Sequence, residues 1–235
     1  MFSLVGSTGR VMGNLKRFGI VLLLVCAVAK AKSMAGEAPA LVSLENGTNT
    51  ALEPAKEGLW ETGVGQGFQS SVHTLALESG ATQGLAILGS KQAHDLALLS
   101  LSYGHMWGRT VALDHWYRGN LEWRAELFGG VQFSPTGEWV IGLAPHLRYN
   151  FATGSRVIPF IDAGAGVTAT SIGPPDLSNT FEFNLQATLG MHWFIRDNLA
   201  LTLEGRYLHI SCAGISQPNL GLNGVTGMIG LTWFF

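Results

Sequence analysis

The chain has 235 residues, enough for one barrel- or sandwich-sized domain rather than two. Its formal net charge is −2 and only 13% of its residues are charged, too few and too balanced for a nucleic-acid surface. The 47% hydrophobic content rules out a disordered chain, and 31 glycines with abundant aromatics fit strands facing lipid.

The N-terminus carries a targeting pattern. Arg10, Lys16 and Arg17 precede an apolar run over 18–29, and Ala29-Lys30-Ala31 has the small-x-small form of a cleavage site. Spanning a bilayer takes about 20 apolar residues, so this run is too short and reads as a signal peptide over 1–31. Removal of that segment would take Cys26 with it and leave Cys212 alone, so no intramolecular disulfide is expected. Residues 32–56, rich in Ala, Glu, Asn, Thr and Pro, read as a flexible leader. The barrel domain is expected over 57–235.

From Trp60 onward the pattern becomes that of strands. The region 60–89 is irregular and yields one strand, or two if 71–89 folds back on itself. After it come seven segments, at 94–107, 121–133, 139–151, 157–171, 181–195, 199–211 and 223–235. Alternation is clearest in 181–193, where Phe181, Phe183, Leu185, Ala187, Leu189, Met191 and Trp193 oppose Glu182, Asn184, Gln186, Thr188 and His192. Strands of a soluble sandwich are usually shorter than these. A membrane barrel has longer strands, apolar outside and polar inside, and single-chain barrels have even strand numbers. The expectation is therefore an all-β fold, an eight-stranded antiparallel up-and-down transmembrane β-barrel whose lumen is filled by side chains.

Phase then assigns the faces. Glu122, Arg124, Glu126, Arg148, Asp162, Glu182, Glu204 and Arg206 fall on the inner side, where a hydrogen-bond and ion-pair network is a simpler reading than a catalytic carboxylate pair. In 199–211, Leu199, Leu201, Leu203, Gly205, Tyr207, His209 and Ser211 share the outer face. In the last strand Asn223 shares its face with Val225, Ile229, Leu231, Trp233 and Phe235. His209, Ser211 and Asn223 thus lie on the outer wall of adjacent strands, where polar groups call for a functional explanation. With a periplasmic N-terminus, His209 stands roughly 25 Å above Leu199, near the outer leaflet. Cys212 has the opposite phase and reads as a packed thiol rather than a nucleophile. His73, His94, His105, His115, His146 and His192 show no metal-ligand spacing, and neither metal nor cofactor is expected. The glycines of Gly63-Val-Gly65-Gln-Gly67 and Gly164-Ala-Gly166 suit strand packing and bends, not phosphate binding.

The stretch His209, Ser211, Ala213, Gly214, Gln217, Pro218, Asn219, Gly221 and Asn223 resembles the signature of the outer-membrane lipid A 3-O-deacylases, the PagL-type acyloxyacyl hydrolases. The segment 158–166 (IPFIDAGAG) is similar to the family's central strand, and the likeness extends over about 121–235. It implies an eight-stranded barrel with a serine hydrolase site on its outer wall. Ser211 would be the nucleophile, His209 the base, and Asn223 the group that orients the imidazole. Cys212, Ala213 and Gly214 would support the oxyanion. The implied substrate is lipid A in lipopolysaccharide, acted on in the outer membrane by a monomer or homodimer, with no nucleic-acid partner. Two positions depart from the pattern: Cys212 replaces an Asn, and Asn223 stands where the best-known members carry Glu. These departures keep open a second reading, a structural or adhesive barrel without activity.

Overall fold

The computed structural model describes residues 68–135 and 137–235. The expected signal peptide, the leader and the first residues of the expected barrel domain lie outside them. Eight strands follow in order: β1 (His73–Gly84), β2 (Asp95–Val111), β3 (Gly119–Ser134), β4 (Trp139–Phe151), β5 (Val157–Thr170), β6 (Phe181–Arg196), β7 (Leu199–Ser211) and β8 (Leu222–Phe234). Each pairs antiparallel with its neighbours, and β1 pairs with β8 to close the barrel. Closure leaves no sheet edge, so the backbone N–H and C=O groups of the wall are satisfied without water.

Of the region 60–89, the described part forms one strand, β1, not two; Leu85 onward leaves the sheet as a loop. Strand β2 runs on to Val111, past the expected end at Trp107. The pairing skips there, from Trp107↔Leu121 to Val111↔Gly119, with Gly108 at a φ of 79° absorbing the irregularity.

The burial pattern alternates along every strand. Leu77, Leu99, Leu127 and Leu189 are about half exposed on the outer face, at 55, 58, 48 and 52%. Withdrawing one such side chain from water is worth about 1.5–3 kcal/mol, so a wall of them is stable against lipid, not water. The inner face is filled in three layers. At the end where the chain enters, Phe68, Met106, Ile158, Phe194, Ala200 and Phe234 form an apolar plug. At the other end Leu96, Leu98, Val140, Leu208, Ile210 and Leu222 form a second, joined by Ile172 and Leu177 from the β5–β6 loop.

Between the plugs lies the ionic network expected from strand phase. Arg148 bridges Asp162 at 3.0 Å and Glu204 at 2.5 Å; Arg206 bridges Glu126 and Glu204, both at 2.8 Å; Arg124 meets Asp162 at 3.0 Å. His146 joins it, 2.6 Å from Asp162. Glu182 is buried too, but at the loop end, where it accepts the backbone N–H of Asn179. Gly164 sits against the His146 ring and Gly166 against the Leu143 carbonyl, where a Cβ would collide, so these glycines serve close packing.

The β1–β2, β5–β6 and β7–β8 loops gather at one end and tie to one another. Buried His94 meets buried Asp176 at 2.8 Å, and the Asp176 carbonyl accepts the N–H groups of Leu220 and Gly221.

A buried guanidinium shared by two carboxylates is held in place by both. Replacing Arg148 with Ala is expected to destabilise the barrel by about 3–5 kcal/mol, because Asp162 and Glu204 lose a counter-charge out of reach of water. Urea unfolding of the protein in lipid vesicles, read as a lowered midpoint, checks this.

Candidate active site on the barrel wall

The site is built by the top of β7 and the start of β8. Period-two alternation turns Tyr207, His209 and Ser211 outward together, and the register sets His209 directly opposite Asn223. His209 Nε2 lies 3.0 Å from Ser211 Oγ, and His209 Nδ1 lies 2.8 Å from Asn223 Oδ1. An amide oxygen only accepts, so the imidazole proton sits on Nδ1 and Nε2 is free to accept from the serine hydroxyl. That is the geometry of a base beside a hydroxyl nucleophile, with the base oriented by a third group.

Asn223 was expected on the open lipid-facing surface. By register it belongs to that face, yet it is only 1% exposed. The loop after β1 folds over it: Leu85 N–H donates to the Asn223 carbonyl at 2.7 Å, and Asn223 Nδ2 donates to the Ile87 carbonyl at 2.8 Å. Its Oδ1 also accepts from the Tyr207 hydroxyl at 2.6 Å. His209 and Ser211 stay half-buried at the surface.

Gly221, with a φ of 77°, lies over the edge of the imidazole; a Cβ there would stand 3.0 Å from His209 Cε1. A side chain at 221 would both strain the backbone and press on the ring. Past Ser211 the chain turns sharply, with Ala213 and Gly214 at φ 53° and 81° and Ile215 N–H bonded to the Cys212 carbonyl at 3.1 Å. Cys212 faces away from the serine. Its thiol is buried in the loop cluster, where Ser178 Oγ donates to it at 3.3 Å and it donates to the Ser216 carbonyl at 3.3 Å. Its own N–H goes to Asn219 Oδ1. Ala213 instead borders an apolar hollow of about 440 Å³ beside Ser211, walled by Val167, Phe183 and Leu185 and floored by Ala165 and Gly166.

A second hollow of about 440 Å³ begins at the same Ala165 and runs past Ala163 and Pro145 to Trp123. Small outward side chains on β5 thus leave a furrow in a wall otherwise studded with leucine. Alternation put these residues on the outer face, but nothing in the one-dimensional pattern aligned Ala165 with His209 across β6; the register Ala165↔Leu185↔His209 does. Tyr207 and the Ile87 carbonyl escaped the sequence reading as parts of the site, and Gly221 entered it only as a member of the signature-like stretch. Tyr207 left a signal in its shared phase with His209, and the Ile87 carbonyl left none. Among the described residues, no group of three or more His, Cys, Asp and Glu side chains could hold a metal ion.

The closed antiparallel barrel with an apolar outer wall defines the class, an outer-membrane type of β-barrel, and that wall carries Ser211, His209 and Asn223 in one hydrogen-bonded row beside an apolar furrow. The sequence profile of the family described as "Lipid A 3-O-deacylase (PagL)" matches residues 97–232, more than half of the chain, and the chain belongs to that family. Among solved structures, the outer membrane enzyme PagL is 26% identical, with 67% of this chain and 97% of that one covered and a TM-score of 0.49. Neisserial surface protein A is 17% identical, with 71% and 98% covered and a TM-score of 0.51, a likeness of fold. No curated protein matches the chain significantly.

The hydrogen bond from Ser178, supported by Ser216, holds the pKa of the Cys212 thiol down to about 7, while burial opposes it by favouring the neutral thiol. That bond favours the thiolate, so its removal must move the titration upward. Ser178→Ala is expected to raise the thiol pKa toward the ordinary range near 8.5, seen as a higher midpoint in the ultraviolet thiolate absorbance as pH rises.

Proposed function

We propose that the chain is a lipid A 3-O-deacylase of the outer membrane, a serine esterase that removes the 3-hydroxyacyl chain ester-linked at position 3 of lipid A. The observation that carries this reading is the Ser211–His209–Asn223 relay opening sideways into an apolar furrow on the lipid-facing wall. A lipid ester reaches such a site without leaving the membrane: its acyl chain lies along Ala165 and Ala163 while its carbonyl stands at Ser211. Family membership supports the reaction class, since the family's described activity is lipid A deacylation.

In this reading Ser211 Oγ attacks the ester carbonyl carbon as its proton passes to His209 Nε2. Asn223 Oδ1 steadies the resulting imidazolium by a hydrogen bond to Nδ1–H. Cys212 N–H is taken by Asn219 and the Gly214 N–H by the Cys212 sulfur, so the N–H of Ala213 at the turn is the backbone donor for the oxyanion. Collapse of the tetrahedral intermediate breaks the ester bond, and Nε2 returns the proton to the leaving sugar oxygen. Water, deprotonated by Nε2, then attacks the acyl-serine, releasing the hydroxy fatty acid and regenerating Ser211. A neutral amide in place of a carboxylate orients the histidine but adds no charge to stabilise the imidazolium, so turnover is slower than with Glu at 223.

Lipid A from cells expressing the wild type is expected to lose one hydroxyacyl chain by mass spectrometry, and the Ser211→Ala protein to lower that rate by at least about 10³-fold. Equal lipid A profiles for both would leave a structural or adhesive barrel as the reading. Asn223→Glu is expected to raise the deacylation rate; a fall would argue against the role given to residue 223.

A further inference from the structure

The third member of the relay is an amide, and an amide has two unlike ends. If Asn223 were turned by 180° about its last bond, Nδ2 would face His209 Nδ1 and donate to it. The imidazole proton would then move to Nε2 and point at Ser211 Oγ, leaving no lone pair to accept the serine proton. A carboxylate cannot be inverted in this way, because its two oxygens are alike. With Asn at 223, catalysis depends on what holds the amide the right way round.

Two groups do so from opposite sides. The Ile87 carbonyl can only accept, and Asn223 Nδ2 donates to it at 2.8 Å. The Tyr207 hydroxyl lies 2.6 Å from Oδ1 and donates to it. Oδ1 therefore collects two donors, Tyr207 and His209, on the side away from Ile87. Tyr207 reaches this point because it shares the outer face of β7 with His209, and because its cross-strand neighbour on β6 is only Ala187.

We propose that Tyr207 is a positioning residue: its hydroxyl, working against the Ile87 carbonyl, fixes the Asn223 amide and thereby selects the His209 tautomer that can serve Ser211. The tautomer selection stands on geometry alone; its consequence for turnover rests on the esterase reading above. Tyr207 is assigned no contact with the reacting ester, so its effect falls on kcat and not on KM.

The test is Tyr207→Phe, which removes the hydroxyl and keeps the ring. In the full protein in detergent micelles, with ¹⁵N-labelled histidine and His209 identified by loss of its signals in His209→Gln, the wild type is expected to show the Nδ1–H tautomer. Tyr207→Phe is expected to show a mixture of the two tautomers. On lipid A, kcat is expected to be about five- to tenfold lower with KM unchanged, the size of effect one hydrogen bond carries. In an Asn223→Asp background, where both ends of the side chain accept, the same loss of hydroxyl is expected to cost less than about twofold. An unchanged tautomer in Tyr207→Phe overturns the proposal, and so does an equal rate loss in the wild-type and Asn223→Asp backgrounds. If wild type and Ser211→Ala treat lipid A alike, the esterase reading fails, while the tautomer measurement still decides the role of Tyr207.

Discussion

Closure of the sheet is the constraint on which everything else here depends. In a hydrocarbon surround, an unpaired backbone N–H or C=O has no water to turn to, and each would cost several kcal/mol. The pairing of Thr74 through Gly84 of β1 with Gly224 through Phe234 of β8 removes the last edge. Once the cylinder is closed, each strand has one face toward lipid and one toward a narrow lumen. Leucine on one side and arginine with carboxylates on the other is the composition that such a partition demands.

The lumen and the site are separate problems solved on the same strand. On β7 the inward Glu204 and Arg206 belong to the ionic layer, and the inward Leu208 and Ile210 belong to the apolar plug above it. The outward Tyr207, His209 and Ser211 interleave with them. Ion pairing inside anchors the strand whose outer face carries the His209–Ser211 pair. The wall therefore offers a rigid base for groups that must be held to within fractions of an ångström.

The loops add what the wall lacks. A polar residue at 223 on a surface facing lipid would be costly if left bare. The β1–β2 loop covers it, takes its amide hydrogen and is itself tied to the neighbouring loops around Asp176 and His94. The turn at Ala213 and Gly214 borders the furrow, whereas Cys212, the residue that departs from the family pattern, is drawn into a separate serine cluster. The site thus combines a strand face fixed by alternation with a lid fixed by loop contacts.

By itself the sequence determined the seven strands after residue 94, the inner and outer faces, and the shared outer face of His209, Ser211 and Asn223. Period-two alternation is a local property, so reading residues in order is enough to find it. It also placed the ionic residues inside, because phase carries through an unbroken strand. Only the tertiary structure decided where β1 lies, how far β2 runs past Trp107, and that Asn223 is covered by the loop carrying Ile87. It also decided that Ala163, Ala165 and Pro145 line up with Trp123 into a furrow leading to Ser211. These features come from register between strands and from loops that meet only once the barrel has closed. Neither leaves a period in the chain, since the partners are joined through space and not through sequence.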